Sequence, residues 1–225
     1  MSTVSLKKLF FTVGLMMAAF GMLAVSVWAE DIVKKKNPVR RVAVVPFAVL
    51  NAQNGQAGAV RCPLCGATVS VGPVAPGAGK MVQEIFINKL SAAREVEIIP
   101  LEKTESVYKR ISSESFKEPL GSTLKRVGQE LKTDFIAAGF VYRYVERVGY
   151  PFSSERPASV AYEIHLLETL NGDDIWRGFF DRTQKSLMED VLQISSFFRG
   201  GGKWLTAHQL AEQGMDEIFR TMPDF

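Results

Sequence analysis

Valine dominates the first patterned stretch of the chain, RVAVVPFAV at 41–49. A short, almost continuous apolar run predicts a strand buried on both faces, as in a sheet covered by helices. Pro46 ends its regular pairing. Residues 50–75 then lose periodicity and collect Asn, Gly, Gln, Pro and both cysteines, which predicts a loop. A loop of that length in a compact domain is functional or carries its own staple. Behind Pro76 and Gly77, the residues Met81, Val82, Ile85, Phe86 and Leu90 recur at three- and four-residue steps and predict a helix. EVEIIP (95–100) predicts a short strand stopped by Pro100. Leu101, Val107, Tyr108 and Ile111 mark a second helix, and Leu120, Leu124, Val127 and Leu131 a third, with Ser122 as its cap.

The pattern then changes to strands. TDFIAAGFVYRYVERV (133–148) predicts a long one, followed by a loop, GYPFSSERPA. SVAYEIHLLET (159–169) alternates, with Val160, Tyr162, Ile164 and Leu166 on one face. Asn171-Gly172 is a strong hairpin signal, so IWRGFFDRT (175–183) returns antiparallel. SLMEDVLQISSFFRGGG (186–202) is partly amphipathic and ends in three glycines. Thr206 and Gln209 have the spacing of a capping box, opening a helix that lines up Ala207, Leu210, Ala211, Met215, Ile218, Phe219 and Met222. The order predicts an α/β (α+β) fold: a mixed sheet of about five strands, a parallel pair plus an antiparallel meander, with helices packed on it. It forms a single domain over 41–225 with a cysteine-containing insertion at 50–75.

The amino-terminal segment changes the picture from fold to compartment. Lys7 and Lys8 precede a run from Leu9 to Ala29 without a charge, and Val27 and Ala29 stand at signal-peptidase spacing before Glu30. We expect a signal peptide over 1–29, then a basic leader over 30–40, and a periplasmic location. The alternative is an uncleaved anchor, since the run can span about 30 Å as a helix; it would bring membrane association. Lys34, Lys35, Lys36, Arg40 and Arg41 follow the run closely and oppose export. No cysteine lies near the expected cut, so a lipoprotein is not expected. The chain has 27 Lys and Arg against 24 Asp and Glu, a net charge of +3, and two of the lysines fall in the signal. That balance gives no electrostatic case for nucleic acid.

Four segments carry a family resemblance: VAVVPF, TDFIAAGFVYRY, VAYEIHLLETLNGDDIWRG, and the closing helix after KWLTAHQLAEQG. Over about residues 40–222 they resemble the TolB amino-terminal and curli-secretion-component (CsgG-like) superfamily of bacterial envelope proteins, with the penicillin-binding-protein activators as relatives. The resemblance implies an adaptor or assembly module and brings no catalytic residues with it. The sequence departs from the family in lacking its lipid-attachment cysteine, in having no propeller repeats, and in the cysteine insertion. It also shows no pair of long alternating hairpins of the kind a membrane barrel needs.

Candidate chemistry centres on CPLCG. Cys62 and Cys65 have the spacing of a metal knuckle, in which backbone amides point at the sulfurs and Gly66 frees the exit. A disulfide is the plain reading in an oxidising compartment, with the metal knuckle as its rival, and a redox pair or two idle thiols remain open. Zinc needs four ligands; the soft donors left are His165 and His208, or the knuckle of a second copy in a homo-oligomer. No cofactor other than zinc is indicated. GPVAPGAGKM and FFRGGGKWLT both fail the phosphate-loop pattern. Glu163 and His165 share one strand face, and without a nucleophile beside them they are expected to be solvent-facing sheet residues. Tyr150, Phe152, Phe197 and Phe198 are candidate partner contacts. The expected function is a non-enzymatic periplasmic adaptor that binds envelope protein or peptidoglycan machinery. The alternative is a metal- or redox-linked envelope protein acting through Cys62 and Cys65.

Overall fold

A computed structural model describes residues 39–51, 58–115, 117–150, 153–184 and 204–225. The expected signal and most of the leader, Phe152, Phe197, Phe198 and the 186–202 segment lie outside the described residues. The elements are β1 (Arg40–Val44), β2 (Ala48–Val49), β3 (Gly58–Arg61), β4 (Thr68–Val71), α1 (Ala78–Ala93), β5 (Val96–Ile98), α2 (Leu101–Glu114), α3 (Leu120–Leu131), β6 (Phe135–Val145), β7 (Val148–Tyr150), β8 (Ser153–Arg156), β9 (Ser159–Glu168), β10 (Asp174–Thr183) and α4 (Ala207–Phe219). The main sheet runs β10-β9-β6-β1-β5, with β2 also on β6. β1 pairs parallel with both β5 and β6, while β6, β9 and β10 form the antiparallel meander. The mixed sheet with packed helices is therefore the fold the pattern predicts. Among the described residues no helix is long and apolar enough to cross a membrane.

Helices pack on both faces, which explains the apolar Val42, Ala43 and Val44 of β1 and the apolar run Phe135–Val141 that opens β6. One face carries Val42, Val44, Tyr162 and Ile164 against Phe86 and Leu90 of α1 and Leu210 and Met215 of α4. The Tyr162 hydroxyl donates to the Ala211 carbonyl at 2.9 Å and fixes α4 to β9. The other face carries Ala43, Val45, Ile136 and Leu167 against Ile111 of α2 and Leu124 and Val127 of α3. Beside Leu120 of α3, a second patch lies over the far half of β6 and the adjoining part of β9. There the insertion takes over, placing Cys62, Val69 and Val71 on Phe140, Tyr142 and Ala161.

Three expectations change. Residues 58–71 of the insertion form an antiparallel hairpin, β3 with β4, rather than a loop. Its signal is short: in Thr68–Val71 only Val69 and Val71 are buried, and they alternate with exposed Thr68 and Ser70. The predicted loop after β6 holds a small ribbon, β7 with β8. Ser122 does not cap α3; the cap residue is Pro119, whose carbonyl accepts from the amides of Ser122 and Thr123. The Thr206–Gln209 capping box is present in full.

Candidate functional site

The site lies where the knuckle meets β9. Between β3 and β4 the chain turns on itself: the Cys62 amide donates to the Ala67 carbonyl at 2.8 Å, and the Gly66 amide to the Cys62 carbonyl at 3.0 Å. Gly66 has φ 73°, the left-handed region that a residue with a Cβ rarely adopts. Both cysteines are free thiols, Cys62 buried and Cys65 exposed. Directly beneath them, β9 presents Glu163 and His165, both at 0% exposure. The expectation that these two face solvent is corrected here. They do share one strand face, but it is the face the insertion folds over.

Cys62 Sγ lies 3.4 Å from His165 Nε2, and Cys65 Sγ donates to Glu163 Oε1 at 3.4 Å. His165 Nε2 is 3.2 Å from the same Glu163 oxygen. One ligand atom from each of the four residues lies within 4.8 Å of the other three. Three further side chains order the group. The Tyr142 hydroxyl donates to Glu163 Oε2 at 2.6 Å. Arg177 Nε donates to Glu163 Oε1 from the neighbouring strand, where Arg177 pairs with His165 in register. Asp174 Oδ2 is 2.6 Å from His165 Nδ1. Asp174 reaches this face because β10 has an irregularity between Asp174 and Trp176, which shifts it into register with Leu167.

The electrostatics follow from burial and these partners. Burial pulls Glu163 toward the neutral acid, but hydrogen bonds from His165, Tyr142 and Arg177 outweigh it and hold the carboxyl far below its usual range. Burial opposes the charged form of His165 as well. Asp174 first, then Cys62 and Glu163, reverse this and push it up to about 11. For Cys62, burial raises the pKa, while His165 and the Cys65 and Leu64 amides lower it further, for a net lowering. The Cys65 thiol is raised, chiefly by burial and despite the Ala67 amide.

Of the residues singled out from the sequence, Cys62, Cys65 and His165 come together, and Glu163 joins them. His208 does not. It sits on α4 with Glu212 3.6 Å away, and that helix packs on the Tyr162 face of β9, opposite to His165. Tyr150 is 79% exposed on its ribbon. Tyr142, Asp174 and Arg177 were not foreseen. Alternation along 133–148 and 175–183 could have put Tyr142 and Arg177 on the Glu163 face, whereas the irregularity that turns Asp174 leaves no sequence signal.

No family model matches the chain, and no curated protein matches it. Solved structures do match. The PelC dodecamer from Paraburkholderia phytofirmans is 15% identical, covering 80% of this chain and 84% of that one at a TM-score of 0.44. Lipoprotein GNA1162 from Neisseria meningitidis is 13% identical, with 72% and 92% covered and a TM-score of 0.41. The LpoB C-terminal domain from Salmonella enterica is 13% identical, with 64% and 83% covered and a TM-score of 0.37. Of the expected resemblances, the one to penicillin-binding-protein activators is supported for the fold, through LpoB, and the TolB and curli-secretion ones are not shown. With every one of these TM-scores below 0.5, the functional reading rests on this chain's own residues.

Proposed function

We propose that the chain is an exported, non-enzymatic module of the bacterial cell envelope that binds envelope protein or peptidoglycan machinery. The observation that carries the reading is the burial of the carboxylate, the imidazole and the inner thiol of the polar cluster at the knuckle. A catalytic group must touch a reacting atom. Glu163 and His165 are at 0% exposure and Cys62 at 3%, and their polar atoms are occupied by one another and by Tyr142, Asp174 and Arg177. Such a cluster organises a structure rather than receiving a substrate. The uncharged run from Leu9 to Ala29 behind Lys7 and Lys8 supports export. Contact with a partner is left to the surface, where Tyr150 is the most exposed aromatic described and Val148 stands beside it on the ribbon.

The test is cell fractionation of the tagged full chain together with site-specific photo-crosslinking from position 148, next to Tyr150 on the ribbon. The reading expects release with the periplasmic or envelope fraction and crosslinks to an envelope component that vanish on Tyr150→Ala. Recovery in the cytoplasm, or specific saturable turnover by the purified chain, overturns it.

A further inference from the structure

We propose that Cys62, Cys65, His165 and Glu163 form a zinc site within a single chain, with Asp174 as the positioning residue of the histidine. This goes beyond the envelope reading and does not depend on it. First, the donor atoms stand at metal-site spacing. A tetrahedral zinc with bonds of about 2.3 Å to sulfur and about 2.0–2.1 Å to nitrogen or oxygen sets its ligand atoms roughly 3.3–3.8 Å apart. Three of the six separations, 3.4, 3.4 and 3.2 Å, fall at that spacing to within about 0.2 Å, and all four donor atoms lie within 4.8 Å of one another.

Second, the knuckle turn is closed by its own backbone, the Cys62 amide on the Ala67 carbonyl and the Gly66 amide on the Cys62 carbonyl, and it sets both sulfurs over β9, Cys62 Sγ at His165 and Cys65 Sγ at Glu163. Third, Asp174 only accepts hydrogen bonds as a carboxylate, so His165 Nδ1 carries the proton it shares with Asp174. Nε2 then points at the sulfurs as the metal-binding nitrogen, the carboxylate–histidine–metal arrangement. Fourth, Glu163 keeps capacity for a metal. Tyr142 takes a position on Oε2 and Arg177 one on Oε1, which leaves a lone pair on Oε1 facing Cys65 and His165.

The donor set selects the metal. Two thiolates, an imidazole and one carboxylate suit zinc, whereas calcium and magnesium require shells of oxygen. Arrangement also weighs against a redox pair. Thiol–disulfide exchange needs an accessible activated thiolate. Here the activated sulfur, Cys62, is buried at 3% exposure, and the exposed one, Cys65, has its pKa raised. On binding, the thiol protons and the Nε2 proton leave to solvent while Nδ1 keeps its bond to Asp174. The metal would tie the β3–β4 hairpin to β9, elements about a hundred residues apart in the chain (Cys62 and His165 differ by 103).

The experiment uses the full chain purified in mild detergent under reductant, loaded with zinc chloride or with cobalt chloride, then freed of excess metal. The expected result is one zinc per chain. The cobalt form should show the intense d–d bands of a tetrahedral ion and thiolate-to-metal charge transfer. Cys62→Ser and His165→Ala should lose the metal, and His208→Gln should keep it. Asp174→Asn should keep the stoichiometry while weakening zinc affinity roughly 10–100-fold. Circular dichroism reports folding of each variant; if one unfolds, the cobalt spectrum of the unsubstituted chain decides. Failure to retain zinc, one zinc per two chains, retention in Cys62→Ser, or a cobalt spectrum without thiolate bands overturns the proposal.

Discussion

Glu163→Ala in the metal-free protein probes the cluster most severely. Glu163 is at 0% exposure and accepts from Tyr142 at 2.6 Å and from Arg177, with His165 Nε2 3.2 Å away. Removing the carboxylate leaves the Tyr142 hydroxyl without its acceptor and strips the His165 ring of one of its two counter-charges, both in side chains at 0% exposure. Arg177 suffers least, since its side chain is 40% exposed and can turn to water. Breaking one partner out of a buried charged network costs about 3–5 kcal/mol. Tyr142→Phe is the milder change, because it deletes one charge-assisted hydrogen bond and leaves the carboxylate two cationic partners. Its cost is about 1.5–3 kcal/mol. The assay is urea unfolding of the full chain with chelator and reductant present, followed by tryptophan fluorescence, comparing midpoints at unchanged slope. The double variant should lose less than the sum of the two single losses, since both remove the same hydrogen bond. A loss below about 1 kcal/mol for Glu163→Ala would mean that the carboxylate is not held as described, and would refute the reasoning.

Further outcomes follow from the same structure. Gly139→Ala would set its Cβ 2.4 Å from the Phe47 ring, so overpacking should cost about 1–3 kcal/mol in thermal unfolding. Thr206→Ala removes the hydroxyl that accepts from the Gln209 amide at 3.2 Å and should cost about 0.5–2 kcal/mol, with the fold otherwise retained. Zinc affinity should rise with pH between about 6 and 8, because the raised His165 and Cys65 groups hold protons that the metal must displace; competition titration with a chromophoric chelator reads the slope. Chelation should speed tryptic cleavage after Arg61, next to Cys62 on the hairpin, and zinc should slow it, as monitored by mass spectrometry.

Much of the fold is written in local periodicity, and the site is written mostly in long-range contacts. The valine run of β1, the alternation of β9, the Asn171-Gly172 turn and the Thr206 cap each act through neighbours in sequence, and each element formed where its pattern lies. The Cys62–Cys65 knuckle was equally local. What the pattern could not say is which face of β9 becomes buried. Val160, Tyr162, Ile164 and Leu166 read as the core face, leaving Glu163 and His165 for solvent. Both faces are in fact covered, because β4 brings Val69 and Val71 down on Phe140, Tyr142 and Ala161. That covering depends on the insertion returning to β6, through the Gly72 amide on the Tyr142 carbonyl at 3.0 Å and the Val74–Tyr144 bridge. Asp174 was further out of reach, since strict alternation would put it on the opposite face and only the irregularity in β10 turns it toward His165.

If two sulfurs from the knuckle and two lighter donors from β9 meet at one metal within one chain, X-ray absorption at the zinc edge on the loaded full chain reads that shell directly. The expected first shell is two sulfurs at about 2.3 Å and two nitrogen or oxygen donors at about 2.0–2.1 Å, with one sulfur lost in Cys65→Ser. A shell of four sulfurs, as from knuckles pooled between two chains, or a shell of nitrogen and oxygen alone, would contradict it.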